Sequence, residues 1–237
     1  MTTFALIHGG GCSAWYWHLL EDELRRRGHT TVAVDLPIED PDAGLGDYAD
    51  TVAEAVRRAA PKAGGEGTGE STGRLAVVAH SWSGFVGPLV CDRAGADLLV
   101  MLAAMVPVPG EAPGDWWANT GFGDKDIDDE VALFMHDVPP ELAAEASRHN
   151  RAHADKALVE PWPLERWPDV PTRFLLCRDD RWFPAPFMRE MARARLGVTA
   201  DEIDGSHSVM LSRPAALADR LEAYDREAAE DARTGRS

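Results

Sequence analysis

The chain has 237 residues, 45% of them hydrophobic, enough for one large domain with a substantial core. Lys and Arg number 24 against 40 Asp and Glu, so the net charge is −16. Such a surface repels phosphate backbones and anionic lipid, which argues against nucleic acid or a membrane surface as partner.

Met1-Thr2-Thr3 has no basic character, and the apolar Phe4-Ala5-Leu6-Ile7 is too short for a signal-peptide core. No apolar run approaches the roughly 18 residues needed to cross a bilayer, so a cytoplasmic protein is the default expectation. Phe4 to Ile7 reads as a first strand ending in the turn His8-Gly9-Gly10-Gly11. Trp15 to Arg27 carries Trp15, Leu19, Leu20 and Leu24 at helical spacing and stops at Gly28. Thr30 to Leu36 is β-branched and alternating, a second strand, and Tyr48 to Ala60 is an amphipathic helix. Pro61 to Gly73 reads as a surface loop.

Leu75 to Ala79 and Leu98 to Ala104 are the third and fourth strands, Arg173 to Cys177 the fifth, and Thr199 to Ile203 a weak sixth. Pro214 to Glu227 is a closing helix, with Asp231 to Ser237 frayed. Short apolar strands alternating with helices predict an α/β fold: a six-stranded, mostly parallel sheet covered on both faces. The stretch 106–168, rich in proline and holding Trp116, Trp117, Trp162 and Trp167, breaks that rhythm. It is too long for an ordinary connection and reads as a mainly helical cap inserted between two halves of a core, 1–105 and 169–237. Three cysteines, Cys12, Cys91 and Cys177, lie in or beside apolar runs without C-x-x-C spacing, as buried free thiols do.

The chemistry centres on Ala79-His80-Ser81-Trp82-Ser83-Gly84. A serine on a sharp strand-to-helix corner projects its hydroxyl beyond the C-terminal edge of a parallel sheet, where ligands bind. The corner is crowded, so positions two before and two after must be small. Ala79 and Ser83 satisfy this more loosely than the two glycines of G-x-S-x-G. The Trp82 N–H, at a helix start, is a natural donor to an oxyanion beside Ser81, and the Gly10 N–H is the expected second donor by position.

A serine hydroxyl needs a base. His207, in the small-residue loop Asp204-Gly205-Ser206-His207-Ser208, is the candidate. His80 is expected to pack or hydrogen-bond beside the serine. A carboxylate must orient His207. Asp180, just after the fifth strand, is the first choice and Asp179 the second. His149 and His153, four apart on an expected helix from Ala143 to Ala157, have metal-ligand spacing but no third ligand nearby, so a solvated face is the simpler reading. Trp116, Trp117 and Trp182 fall near the expected cleft mouth, where they would line an apolar pocket for a small-molecule substrate.

These features resemble the α/β-hydrolase fold over nearly the whole chain. More narrowly they resemble the branch of plant-type methylesterases and hydroxynitrile lyases. The points of likeness are Leu6-Ile7-His8-Gly9-Gly10 with Trp15-Tyr16-Trp17, the Ala79-His80-Ser81 corner, Ala104-Met105-Val106-Pro107, and Met210-Leu211-Ser212-Arg213-Pro214. The resemblance implies Ser81 as nucleophile, His207 as base, Asp180 as acid, Gly10 and Trp82 as oxyanion donors, and no metal or organic cofactor. The lyases of that branch carry a threonine after the loop histidine and a lysine after the catalytic one; Gly9 and Ser208 stand there, which favours ester, thioester or lactone cleavage. A lyase or cyclase working through His207, or a small-molecule binding protein, are the alternatives. Length and charge leave the oligomeric state open, a homodimer included.

Overall fold

The computed structural model describes residues 1–59, 73–123 and 127–235. Apart from Gly73, the Pro61–Gly73 loop expected from sequence lies outside them. Six strands form one sheet: β1 (Thr2–Ile7), β2 (Thr30–Ala33), β3 (Arg74–His80), β4 (Leu98–Leu102), β5 (Thr172–Cys177) and β6 (Asp201–Ile203). All pairings are parallel, in the order β2-β1-β3-β4-β5-β6. The second strand stops three residues earlier than its alternation suggests. Leu36 N donates instead to His8 Nε2 (3.0 Å), and Asp35 Oδ1 accepts from Ala14 N (2.7 Å).

Strand periodicity divides the core between the two faces of the sheet. Ala5, Ile7, Val77, Ala79, Leu99, Met101 and Leu176 point to one side, Phe4, Leu6, Ala76, Val78, Leu98, Val100 and Leu175 to the other. The first face is covered by α2 (Leu45–Ala59), α3 (Gly87–Ala94) and α8 (Ala185–Met191), the last running on as a π-helical turn from Ala192 to Leu196. The second is covered by α1 (His18–Arg26) and α10 (Pro214–Thr234). Burying each large apolar side chain contributes roughly 1.5–3 kcal/mol. The closing helix runs past its expected end because Tyr224 and Ala228 are buried and Arg173 pairs with Glu227 (3.3 Å) on its outer side.

Between β4 and β5 the chain leaves the sheet and forms α4 (Trp116–Asn119), α5 (Glu130–Phe134), α6 (Pro140–Arg148) and α7 (Lys156–Val159). Its root is held by a buried ion pair. Arg195 grips Glu111 with both guanidinium nitrogens, and its Nη1 also donates to Val106 O (2.6 Å). One short helix, α9 (Val209–Ser212), precedes α10. None of the helices among the described residues is long and apolar enough to cross a membrane.

Strand order reverses at β1: it pairs with β2 on one side and β3 on the other. The connection from β1 passes through α1 on one face, whereas that from β3 passes through α3 on the opposite face. Loops leaving two adjacent strand ends therefore diverge and open a crevice, the place where parallel α/β sheets bind ligands.

Candidate active site

Ser81 sits at the carboxyl end of β3 with φ 55°, one of two non-glycine residues in the left-handed region among the described residues. Holding a serine there costs of order 1–3 kcal/mol and persists only where the surroundings enforce it. The enforcement is visible. Ser81 O accepts from Met105 N (2.9 Å), and Ser83 Oγ donates to His8 O. A side chain on Gly84 would lie 1.7 Å from Met105 O, and one on Gly87 would meet the Ala79 Cβ at 2.6 Å. Ala79 and Gly87 are thus small because they touch each other. Ser83 replaces the usual second glycine with a hydroxyl that ties the corner to the neighbouring loop. After Ser81 the chain winds as a 3₁₀ turn to Phe85, and the α-helix expected directly after the serine starts only at Gly87.

The His8–Gly11 loop packs on this corner. A Cβ on Gly9 would stand 3.2 Å from the Ser81 Cβ, and one on Gly10 3.3 Å from the Trp82 Cβ. Its shape is set by His8, whose Nε2 accepts from Leu36 N, leaving Nδ1–H to donate to Gly9 O (2.9 Å). That pattern fits a neutral ring, and burial pushes its pKa down to about 4.

His207 and Asp180 meet at the ends of β6 and β5. The His207 Nδ1–H donates to Asp180 Oδ2 at 2.6 Å, with both side chains buried. Asp180 Oδ1 accepts the Trp182 and Phe183 N–H groups at 2.8 and 2.9 Å. Both carboxylate oxygens are thereby committed, and the imidazole is held with its proton on Nδ1. Asp179, the second choice, turns away: its Oδ2 accepts from Gly205 N (3.0 Å). His80 fulfils the packing role expected of it. Its ring lies 4.6 Å from that of His207, and its Nε2–H donates to His207 O (3.0 Å). Burial, then the nearby His207, hold its pKa well below the usual histidine range.

Ser81, Gly10, Trp82 and His207 border one cavity of about 190 Å³. This is below the roughly 300–1,000 Å³ common for drug-sized ligands, so the site suits a small molecule. No hydrogen bond joins Ser81 Oγ to His207 Nε2. Such contacts are commonly loose without substrate. The rest of the lining is mostly apolar, with Met105, Trp117, Phe134 and Trp182 prominent. Trp116 is not among these. It is fully buried with its Nε1–H on Val106 O (3.1 Å), a packing residue behind the wall. Cys12, Tyr16 and Glu130 also line the cavity, a role the sequence analysis assigns to none of them. Their only linear signal was proximity to the glycine loop for the first two.

The expected Ala143–Ala157 helix is two helices with an extended link. α6 stops at Arg148 because Arg151 N and Ala154 N pair instead with Gly11 O and Ile38 O, both at 2.7 Å. His149 stacks on Trp15 (4.5 Å between rings) and His153 packs on Trp82 (4.7 Å). No cluster of three metal-ligating side chains occurs among the described residues.

A parallel sheet wound on both faces, with a strained serine at the switch point and a carboxylate-bound histidine beside it, defines the α/β-hydrolase class. The chain belongs to the alpha/beta hydrolase family, which it matches over residues 4–220. Its relatives include polyneuridine aldehyde esterase of Rauvolfia serpentina, 23% identical over 89% of this chain and 90% of that protein. Norfluorocurarine synthase 1 of Strychnos sp is 22% identical over 90% and 91%. Among solved structures, polyneuridine aldehyde esterase superposes with a TM-score of 0.76 at 21% identity, covering 94% of this chain and 98% of that one. A pyrethroid hydrolase from Sphingobium faniae JZ-2 superposes with 0.74 at 19% identity, covering 97% and 99%.

Proposed function

We propose that this protein is a serine hydrolase that cleaves a small carboxylic ester, thioester or lactone through an acyl-enzyme. The observation that carries the reading is the His207–Asp180 hydrogen bond of 2.6 Å, beside a serine held at φ 55° on the same cavity. With Nδ1–H donated to Asp180, the His207 Nε2 lone pair is the one left to take a proton.

In this mechanism Ser81 Oγ attacks the carbonyl carbon while its proton passes to His207 Nε2. The oxyanion is held by the N–H groups of Gly10 and Trp82. Collapse breaks the bond to the leaving group, which takes the proton from His207. Water then attacks the acyl carbon with His207 as base, and Ser81 is released with the carboxylic acid. Asp180 stays ionised and stabilises the imidazolium. Residues 106–168 act as the cap that shapes the pocket, and the Gly10 donor depends on its close packing against Trp82. Loss of one oxyanion donor costs about 100–1000-fold in rate.

A second reading, a non-hydrolytic enzyme working through His207, is favoured by one fact: a relative of similar coverage is named a synthase. Labelling separates the two. A fluorophosphonate should modify wild type and leave Ser81→Ala unmodified, and an ester and lactone panel should be turned over. Equal labelling of both proteins refutes Ser81 as the nucleophile; labelling with no turnover of any unhindered ester favours the second reading.

A further inference from the structure

Among the described residues that line the cavity, Glu130 is the one carboxylate and none is an arginine or lysine. It opens α5, capped by Asp129, whose Oδ1 accepts from Ala132 N (2.9 Å). The Glu130 side chain is held from one side. Its Oε1 accepts from Asn150 Nδ2 (2.6 Å), and Asn150 Oδ1 accepts from Tyr16 OH (2.7 Å). This relay orients the carboxylate without neutralising it. Among the described residues no cation lies within ion-pair distance of Glu130. The neighbouring acidic groups remain protonated: burial pushes the Cys12 thiol up to about 12 and the Tyr16 phenol up as well, and the charge of Glu130 adds to both. One fixed negative charge therefore faces a chamber of aromatic rings, Trp117, Phe134 and Trp182 among them. An oriented carboxylate in one cavity with aromatic rings is an arrangement that recognises an organic cation.

We infer that Glu130 makes this cavity selective for an ester that carries a positively charged nitrogen. The inference rests on the reading of the cavity as an ester site and names the substrate class within it. The ammonium group takes the unfilled acceptor capacity of the Glu130 carboxylate while its alkyl groups lie against the rings. The ester carbonyl is then left toward Ser81. A carboxylate-bearing substrate is disfavoured by the same charge.

The test compares the methyl ester of gamma-dimethylaminobutyric acid with its uncharged carbon isostere, methyl isoheptanoate, and with homologues of each at other spacer lengths. Affinities are measured by calorimetry on Ser81→Ala, so that no turnover is needed. For the best spacer the charged ester should bind roughly ten- to a hundredfold more tightly, the range of a hydrogen bond to a charged group. Adding Glu130→Gln, whose amide can still pair with Asn150, should abolish that preference, chiefly by weakening the charged ester. Glu130→Asp should keep part of it. Asp128→Asn, which removes a nearby exposed charge, should not alter it and so controls for the net charge of the chain.

Equal affinity for the two esters at every spacer overturns the inference. So does a preference that survives Glu130→Gln, or a hydroxyl-bearing analogue that binds as tightly as the amine. Charge selectivity in binding without any labelling of Ser81 by fluorophosphonate in the wild-type protein would refute the hydrolase reading and leave the role of Glu130 standing.

Discussion

Replacing Asp180 by asparagine tests the geometry of the site in one atom. The carboxylate makes three hydrogen bonds, all as acceptor: two through Oδ1 from the Trp182 and Phe183 N–H groups, and one through Oδ2 from His207 Nδ1–H. An amide has a single acceptor oxygen. Two backbone donors compete for it against one imidazole, so the Asn oxygen stays with the backbone and its NH₂ faces Nδ1. His207 must then accept at Nδ1 and carry its proton on Nε2, the tautomer that cannot deprotonate Ser81. The volume of the side chain is unchanged and the backbone contacts survive, so the fold should too. A tautomer error of this kind lowers kcat by about 10⁴, equivalent to roughly 5.5 kcal/mol of transition-state stabilisation. Steady-state kinetics on the best ester of the panel, with the rate of fluorophosphonate modification as a second readout, measures it. Asp179→Asn should cost far less, because Asp179 faces Gly205 N rather than the imidazole. Activity of Asp180→Asn within tenfold of wild type, or equal losses in the two variants, would refute the tautomer reasoning.

Gly84→Ala places a carbon 1.7 Å from the Met105 carbonyl oxygen, which cannot yield without moving the start of the inserted segment; a loss above about 3 kcal/mol in urea unfolding, or failure to accumulate folded protein, is expected. Gly95→Ala, with φ 66° but open space around it, should lose only about 1–2 kcal/mol in the same assay. Glu111→Gln breaks the pair with Arg195 while leaving the guanidinium buried, so destabilisation of about 3–5 kcal/mol is expected by the same measure. Stability should also fall with acid through His8. Its folded pKa of about 4 lies below the ordinary 6.5, so between those values the unfolded chain binds the extra proton and stability rises with pH. From pH 7 to pH 5 this alone removes about 2 kcal/mol, with His80 acting in the same direction; a flat urea midpoint over that interval would contradict it.

Much of this protein is legible in one dimension because the signals are local. The short unbroken apolar runs Phe4–Ile7 and Leu75–Ala79, each bounded by polar or turn residues, mark buried strands. The His8–Gly11 turn and the small residues about Ser81 record steric demands that the backbone makes within a few positions. Ser81, His207 and Asp180 were readable as candidates since each follows a strand end, and parallel strands bring their ends to one edge. Tertiary structure decided what depends on groups distant in the chain. Asp180 and Asp179 are adjacent carboxylates after the same strand; the imidazole and the Trp182 and Phe183 N–H groups on Asp180, against the Gly205 N–H on Asp179, tell them apart. The link from His149 to His153 has a helical pattern, but hydrogen bonds to Gly11 and Ile38 outweigh the helical ones it forgoes. Glu130 looks like any acid at the start of a helix until Asn150 and Tyr16 turn it to the cavity wall. Periodicity and sterics are written in neighbouring residues; charge placement at a site is written in which surfaces meet.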